Sequence, residues 1–450
     1  MQISDTITEI NPSNLDWKKL RWDFFRLAII NILSNLMVPL SGFLSVAFLG
    51  HLAEIRHLAG VTLSTILFNY LYRTLGFLRM STTGVTAQAF GKDNQEEVLL
   101  TGLRNAFIAL VLGLTILLLK YPLGCLGFSL LNATLDVKAS GQLYYDGRIW
   151  GAPATLLNFV LVGWFLGQGK SGKVLLLSVI GNGANVLFDY LFIVRWGWDS
   201  AGAGLATAVS QYLMLATGVV LVWMAIQDQD LGKLRGKIFT PSALKETLTL
   251  NRDIFIRTLA FLSTFSVFTN LSSAMGTVVL TDNALLLQVI TLTVYLVDGL
   301  AYATESLTGI FKGKGVNEQL FPLLVIAGQV SFILGITVAT SFILFPDTLF
   351  GLLTNHREIL DHIHHYVFWL LPVLGFGSIA FILDGYFLGL AEGALLRNTA
   401  LMATLVGFAP VAVIAWQANS RSLLWLSLSS FMLARAALLG LQVPKTLRGF

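Results

Sequence analysis

Asp189 stands in an apolar stretch, GNGANVLFDYLFIV, with Asn182 seven and Asn185 four residues before it. At helical spacing the three share one face. A carboxylate backed by two amides can take up a proton or a small cation; the amides could equally cross-link helices by hydrogen bonds. A second group lies in YLVDGLAYATESLTG, where Asp298 and Glu305 are seven residues apart with Tyr302 between them, roughly 10 Å along one helix face. Asp384 occurs in ILDGYFLG and Arg79 in GFLRMSTTGVTAQAFG. The acids suit either ion or substrate contact or interhelical hydrogen bonding, and Arg79 either an anion contact or a structural pair.

What makes these residues conspicuous is the solvent their neighbours demand. Of 450 residues, 55% are hydrophobic and only 12% charged, with 41 Gly, 31 Phe and 10 Trp; the mean hydropathy is +0.74. Soluble domains carry about 25% charged residues, so a soluble enzyme, a disordered chain and a secreted disulfide scaffold are excluded. The net charge of +4 is too small to argue for a nucleic-acid partner, and one cysteine, Cys125, rules out an internal disulfide. The polar N-terminus and the long apolar run after it do not read as a cleavable signal.

A bilayer core about 30 Å thick needs roughly 20 apolar helical residues. On that measure twelve spans are expected, near 24–50, 58–82, 101–121, 149–167, 174–195, 202–226, 253–280, 283–311, 321–345, 367–391, 399–416 and 422–441. With the N-terminus inside, 20 of the 29 Lys and Arg fall in inner segments and 7 in outer ones, which places both termini on the cytoplasmic side or its organellar equivalent. The polar stretch 227–252 separates the spans six and six, giving an N-terminal segment 1–23, a bundle 24–226, the connector, a bundle 253–441 and a tail 442–450.

The halves repeat. GWFLGQG at 163–169 recurs as GYFLGLAEG at 385–393, and Gly91-Lys92 as Gly313-Lys314, each at an offset of 222 residues. An even number of spans between equivalents makes the repeats parallel, an arrangement that places a substrate cavity between moving halves. At the same offset Asp298 and Glu305 correspond to Gly76 and Thr83, so the halves differ in polar content. Other signals are weaker. Asp361, His362, His364 and His365 lie in an outer segment and read as a hydrated interfacial cluster rather than a metal or pH-sensing site. Gly167, Gly169 and Gly172 before Lys173 lack phosphate-loop spacing, and no metalloprotease or hydrolase-nucleophile motif occurs.

FLRMSTTGVTAQAFG (77–91), GHL at 50–52, GAGLATAVSQY (202–212), DGLAYATESLTG (298–309) and DGYFLG followed by LLRN (384–398) resemble, in order and over essentially the whole chain, the DinF-type branch of the multidrug and toxic compound extrusion (MATE) family. The resemblance implies an all-α integral membrane protein, V-shaped, with twelve transmembrane helices in two pseudo-symmetric six-helix bundles, exporting organic compounds against protons or sodium ions. It also implies a first-bundle ion site: Asn185, Asp189 and Thr207 match the family's positions. Where many members carry a first-helix aspartate in VDTAFLGHL, this chain reads LSVAFLGHL, so Ser45 replaces it. Losing a carboxylate weakens a sodium site, because hard cations prefer anionic oxygens.

The expected function is therefore proton-coupled export of organic, amphipathic compounds by alternating access. Asp189 is the principal coupling residue with Asn182, Asn185, Thr207 and Ser45, and Glu305, Asp298, Tyr302, Asp384 and Arg79 form a further polar or substrate site. Alternatives are sodium coupling, an organic-anion exporter, a lipid-linked glycan flippase, or a degenerate carrier or regulatory scaffold; a membrane-embedded enzyme is disfavoured. No cofactor and no resident metal are expected, the coupling ion being H+ or, alternatively, Na+. Partners are a small-molecule substrate and the lipid bilayer, the chain acting as a monomer in a bacterial inner membrane or a plastid-type membrane.

Overall fold

In hydrocarbon every backbone N–H and C=O must find a partner inside its own segment, which leaves helices as the economical solution for this sequence. The computed structural model describes residues 17–52, 54–226, 236–352 and 363–447. Among these residues the regular structure is helical throughout, and eleven helical runs are long and apolar enough to cross a membrane.

The first nine helices in chain order are α1 (Trp17–Gly50), α2 (Ile55–Leu75), α3 (Phe77–Gly91), α4 (Gln95–Leu118), α5 (Lys120–Leu130), α6 (Leu135–Arg148), α7 (Ala152–Gly167), α8 (Ser171–Asp189) and α9 (Asp199–Ala225). There follow α10 (Pro241–Ala274), α11 (Thr277–Lys314), α12 (Leu320–Leu344), α13 (Pro346–Gly351), α14 (Leu370–Gly389), α15 (Gly393–Met402), α16 (Ala409–Gln417), α17 (Arg421–Gly440) and α18 (Val443–Leu447).

Two expectations need correcting. The second span is not one helix, because Gly76 interrupts it; the chain continues as α3 to Gly91 rather than ending near 82. The segment before the fourth span, left outside the expected spans, is helical: α6 runs through a single 3-10 turn into α7, a continuous stretch Leu135–Gly167 of 33 residues. Its polar composition hid it, but small residues let its backbone approach neighbours closely. A Cβ on Gly60 of α2 would stand 2.6 Å from the Gly141 nitrogen, and one on Gly204 of α9 would stand 3.0 Å from the Arg148 nitrogen. Arg148 therefore sits in mid-helix, not in an outer loop.

Two compact units emerge. Among the described residues, one lies within Leu33–Asn251; the other joins those before Leu33 to those from Arg252 onward. Within the second, a core around Phe268, Phe350, Trp425 and Phe431 is fully buried, and the Trp425 ring meets Phe268 edge to face at 5.0 Å between centroids. The Trp425 indole N–H donates to Asn283 Oδ1 at 2.9 Å, and Arg421 pairs with the buried Asp282 at 2.8 Å.

The internal repeat reappears in atomic contacts. In the first unit a Cβ on Gly163 of α7 would lie 2.5 Å from the Arg79 carbonyl oxygen of α3, and one on Gly167 would lie 2.7 Å from that of Thr83. In the second, Gly385 and Gly389 of α14 meet the carbonyls of Ala301 and Glu305 on α11, a Cβ on Gly385 standing 2.6 Å from the former. All four pairs of positions obey the offset of 222 residues.

Candidate functional site

The chemistry of the first unit is organised by two polar stripes that face one another. On α1, Ser34, Ser41 and Ser45 recur at helical spacing; on α8, Ser178, Asn182 and Asp189 do the same. Ser34 and Ser178 share a hydroxyl hydrogen bond of 2.7 Å, Ser41 Oγ donates to Asn182 Oδ1 at 3.0 Å, and Ser45 Oγ donates to Asp189 Oδ2. These rungs ascend in the same order on both helices, so α1 and α8 are zipped in parallel by groups that hydrocarbon alone could not satisfy.

Asn185 lies off this ladder. Its Nδ2 donates to Thr207 Oγ1 of α9 at 3.4 Å, while the Thr207 hydroxyl donates to the Ala203 carbonyl at 3.0 Å. Both amides behind Asp189 are thus engaged in hydrogen bonds: Asn182 also donates to the Ser178 carbonyl at 2.8 Å. Asp189 itself is 1% exposed, and its Oδ1 has no hydrogen-bond partner among the described residues. It terminates α8 just where the helix widens into a π turn over Tyr190–Arg195, a distortion common at functional positions. Ser45, Asn182, Asn185, Asp189 and Thr207 are therefore brought together.

The second-unit residues do not form one comparable cluster. Asp384 is the centre of a buried ion triad: Arg257 of α10 and Arg435 of α17 both donate through Nη2 to its Oδ2. The Arg435 guanidinium also lies 4.9 Å from the Phe261 ring centroid and 5.6 Å from that of Phe431, favourable for a desolvated cation. Of the alternatives open for Asp384, the geometry is that of an interhelical structural centre. Asp298 lies within electrostatic reach of Arg435; Glu305 is 1% exposed on α11, with Tyr302 half-buried a turn before it. Each of Asp298, Tyr302 and Glu305 has interaction partners. Arg79 is buried on α3, likewise engaged, with its carbonyl against Gly163.

Arg257 and Arg435 were missed as candidates although both fall inside the expected spans 253–280 and 422–441; counting them as inner-segment charges concealed them. Arg148 was missed because α6 falls outside the expected spans 101–121 and 149–167. Of the outer histidine cluster, Asp361 and His362 lie outside the described residues; His364 is exposed and meets Asp347 at 2.9 Å, and His365 is exposed.

The MatE family profile matches residues 31–191 and 254–414, once in each half. The chain is 32% identical over 414 residues to DNA damage-inducible protein F of Escherichia coli (strain K12), covering 91% of this chain and 89% of that protein. It is 23% identical over 350 residues to a probable multidrug resistance protein NorM of Thermotoga maritima, covering 76% and 74% of the two chains. A solved structure described as the outward-facing conformation of a multidrug resistance MATE family transporter superposes with a TM-score of 0.86 at 20% identity, covering 97% of each chain. The doubled family match, the duplicated glycine contacts and the all-helical membrane fold converge: this chain belongs to the MatE family, as a multi-pass membrane transporter of the DinF type and not an enzyme.

Proposed function

We propose that the chain exports organic, amphipathic compounds in exchange for protons, with Asp189 carrying the proton. The observation that carries this reading is the state of that carboxylate: buried, with Oδ2 held by Ser45 and Oδ1 left without a partner among the described residues. A sodium ion asks for a shell of several oxygens, anionic ones by preference. Here Asn182 Oδ1 accepts from Ser41, and the Thr207 hydroxyl is committed to a carbonyl and to Asn185. One open carboxylate oxygen beside satisfied neighbours suits one proton. Alternating access of the two halves, supported by the repeat, cytoplasmic termini, supported by the distribution of basic residues, and a monomeric carrier complete the proposal.

The test is export from proteoliposomes under an imposed pH gradient. Folded Asp189→Asn is expected to lose gradient-driven export, whereas undiminished gradient-dependent export by that variant eliminates the assignment. A response to a sodium gradient in place of a pH gradient transfers the coupling to the other ion.

A further inference from the structure

Arg148 differs from Arg104, Arg257, Arg421 and Arg435 in what it meets. Arg104 pairs with Glu97, Arg421 with Asp282, and Arg257 and Arg435 with Asp384. Arg148 instead rests on rings: its guanidinium carbon lies 4.5 Å from the Phe68 centroid, 5.6 Å from Tyr144 and 5.9 Å from Tyr72. Its Nη1 donates to the Tyr144 hydroxyl at 2.7 Å, and its Nε is buried with no hydrogen-bond partner. No carboxylate among the described residues lies within ion-pair distance of it. Half-burying a guanidinium with a buried, open N–H and no ion pair is costly, so the position needs a reason.

A cavity of about 50 Å³ opens beside it, lined by Tyr72, Arg148, Thr155, Thr207 and Gln211, all within the first unit. Sites for a whole drug-sized molecule run to about 300–1,000 Å³; this space holds one small group with a water or two. Its lining carries hydroxyls and an amide around a single cation. Gln211 Oε1 accepts from Asn158 Nδ2 at 3.0 Å, which leaves its NH2 as the end that can serve the cavity. Thr207 belongs both to this lining and to the Asp189 cluster, and Arg148 is close enough to Asp189 for its charge to act there.

We propose that this cavity is an anion subsite, in which Arg148 receives the carboxylate of an amphipathic substrate whose apolar body lies outside it. A guanidinium offers a carboxylate charge-assisted N–H donors in a planar fork, and the aromatic bed under Arg148 holds that plane in place. The proposal rests on the reading of the chain as a carrier of organic compounds but not on proton coupling, so the two fail separately.

The experiment is equilibrium dialysis of 1-naphthoate and of 1-naphthamide, a matched neutral probe, against protein-loaded nanodiscs at fixed pH with no gradient, empty discs correcting for partitioning. The wild type is expected to bind naphthoate about tenfold more tightly than naphthamide, the scale of a charge-assisted pair. Arg148→Gln should abolish that preference and leave naphthamide binding within about twofold, while Arg148→Lys retains part of it. Gln211→Leu, which keeps Arg148 and its rings in place, should weaken naphthoate selectively and covers the case in which Arg148→Gln does not fold. Equal binding of the two probes by the wild type, binding of neither, or a preference that survives in folded Arg148→Gln overturns the proposal.

Discussion

Ser45 of α1 donates its hydroxyl hydrogen bond to Asp189 Oδ2 of α8. The hydroxyl that meets Asp189 thus stands at the position where the family resemblance implies a second acid. Removing a hydrogen bond to a charged group costs about 1.5–3 kcal/mol, so Ser45→Ala is expected to slow pH-gradient-driven export by about tenfold or more while the protein stays folded. Initial export rates in proteoliposomes report this, and an unchanged rate means that the serine does not orient the carboxylate.

The triad of Arg257, Asp384 and Arg435 calls for a different measurement, stability. Deleting one partner of a buried ion cluster typically costs about 3–5 kcal/mol because the other charges stay behind. Asp384→Ala should therefore lower the unfolding temperature markedly, and the triple variant Arg257→Met, Asp384→Leu, Arg435→Met should regain most of the loss. Thermal inactivation in detergent distinguishes the two. If Asp384→Ala melts with the wild type, the triad is not a structural centre.

Close approach at glycines can be checked by adding one methyl group. A Cβ on Gly163 or Gly385 would stand 2.5 or 2.6 Å from a carbonyl oxygen of the facing helix, and overpacking of this kind costs about 1–3 kcal/mol. Gly163→Ala and Gly385→Ala should both destabilise. Gly183 lies in α8 with nothing within 4 Å of its would-be Cβ, so Gly183→Ala should be neutral or stabilising by up to about 1 kcal/mol. The same thermal assay ranks the three, and the opposite order refutes the packing argument.

Orientation has its own test. In a Cys125→Ser background, a cysteine replacing the exposed Asp136 should react with an impermeant maleimide applied to right-side-out vesicles, and one replacing the exposed Glu318 should react only after the membrane is opened. The reverse pattern inverts the topology inferred from the basic residues.

Hydropathy revealed the helical membrane fold because lipid selects on the average character of twenty residues, and the spacing of Asn182, Asn185 and Asp189 was legible because it is local. Features that depend on distant or small residues were not. Gly76 leaves no hydropathic trace inside an apolar run, so the break between α2 and α3 was invisible. The helix α6 is polar in composition and becomes a membrane-unit element only through Gly60, Gly141, Gly147 and Gly204, whose partners lie on other helices. Arg257 and Arg435 were visible as charges inside spans, yet their common partner Asp384 is 127 and 51 residues away in sequence. The serines at 34, 41 and 45 were readable in hindsight as one face of α1, but a hydroxyl stripe gains meaning only beside the stripe it meets.

The matched glycine contacts of α7 on α3 and α14 on α11 also bear on how such a chain diverges. Thr83 and Glu305 are equivalent stations, each presenting its carbonyl to a glycine of the neighbouring helix, so the helix pair is closed by backbone atoms that every residue type possesses. The side chain at that station can then change identity without disturbing the closure. An acid stands at this station in one half and a threonine in the other, on a frame that either residue leaves intact. A duplicated transporter with such a frame can divide labour between its halves one residue at a time.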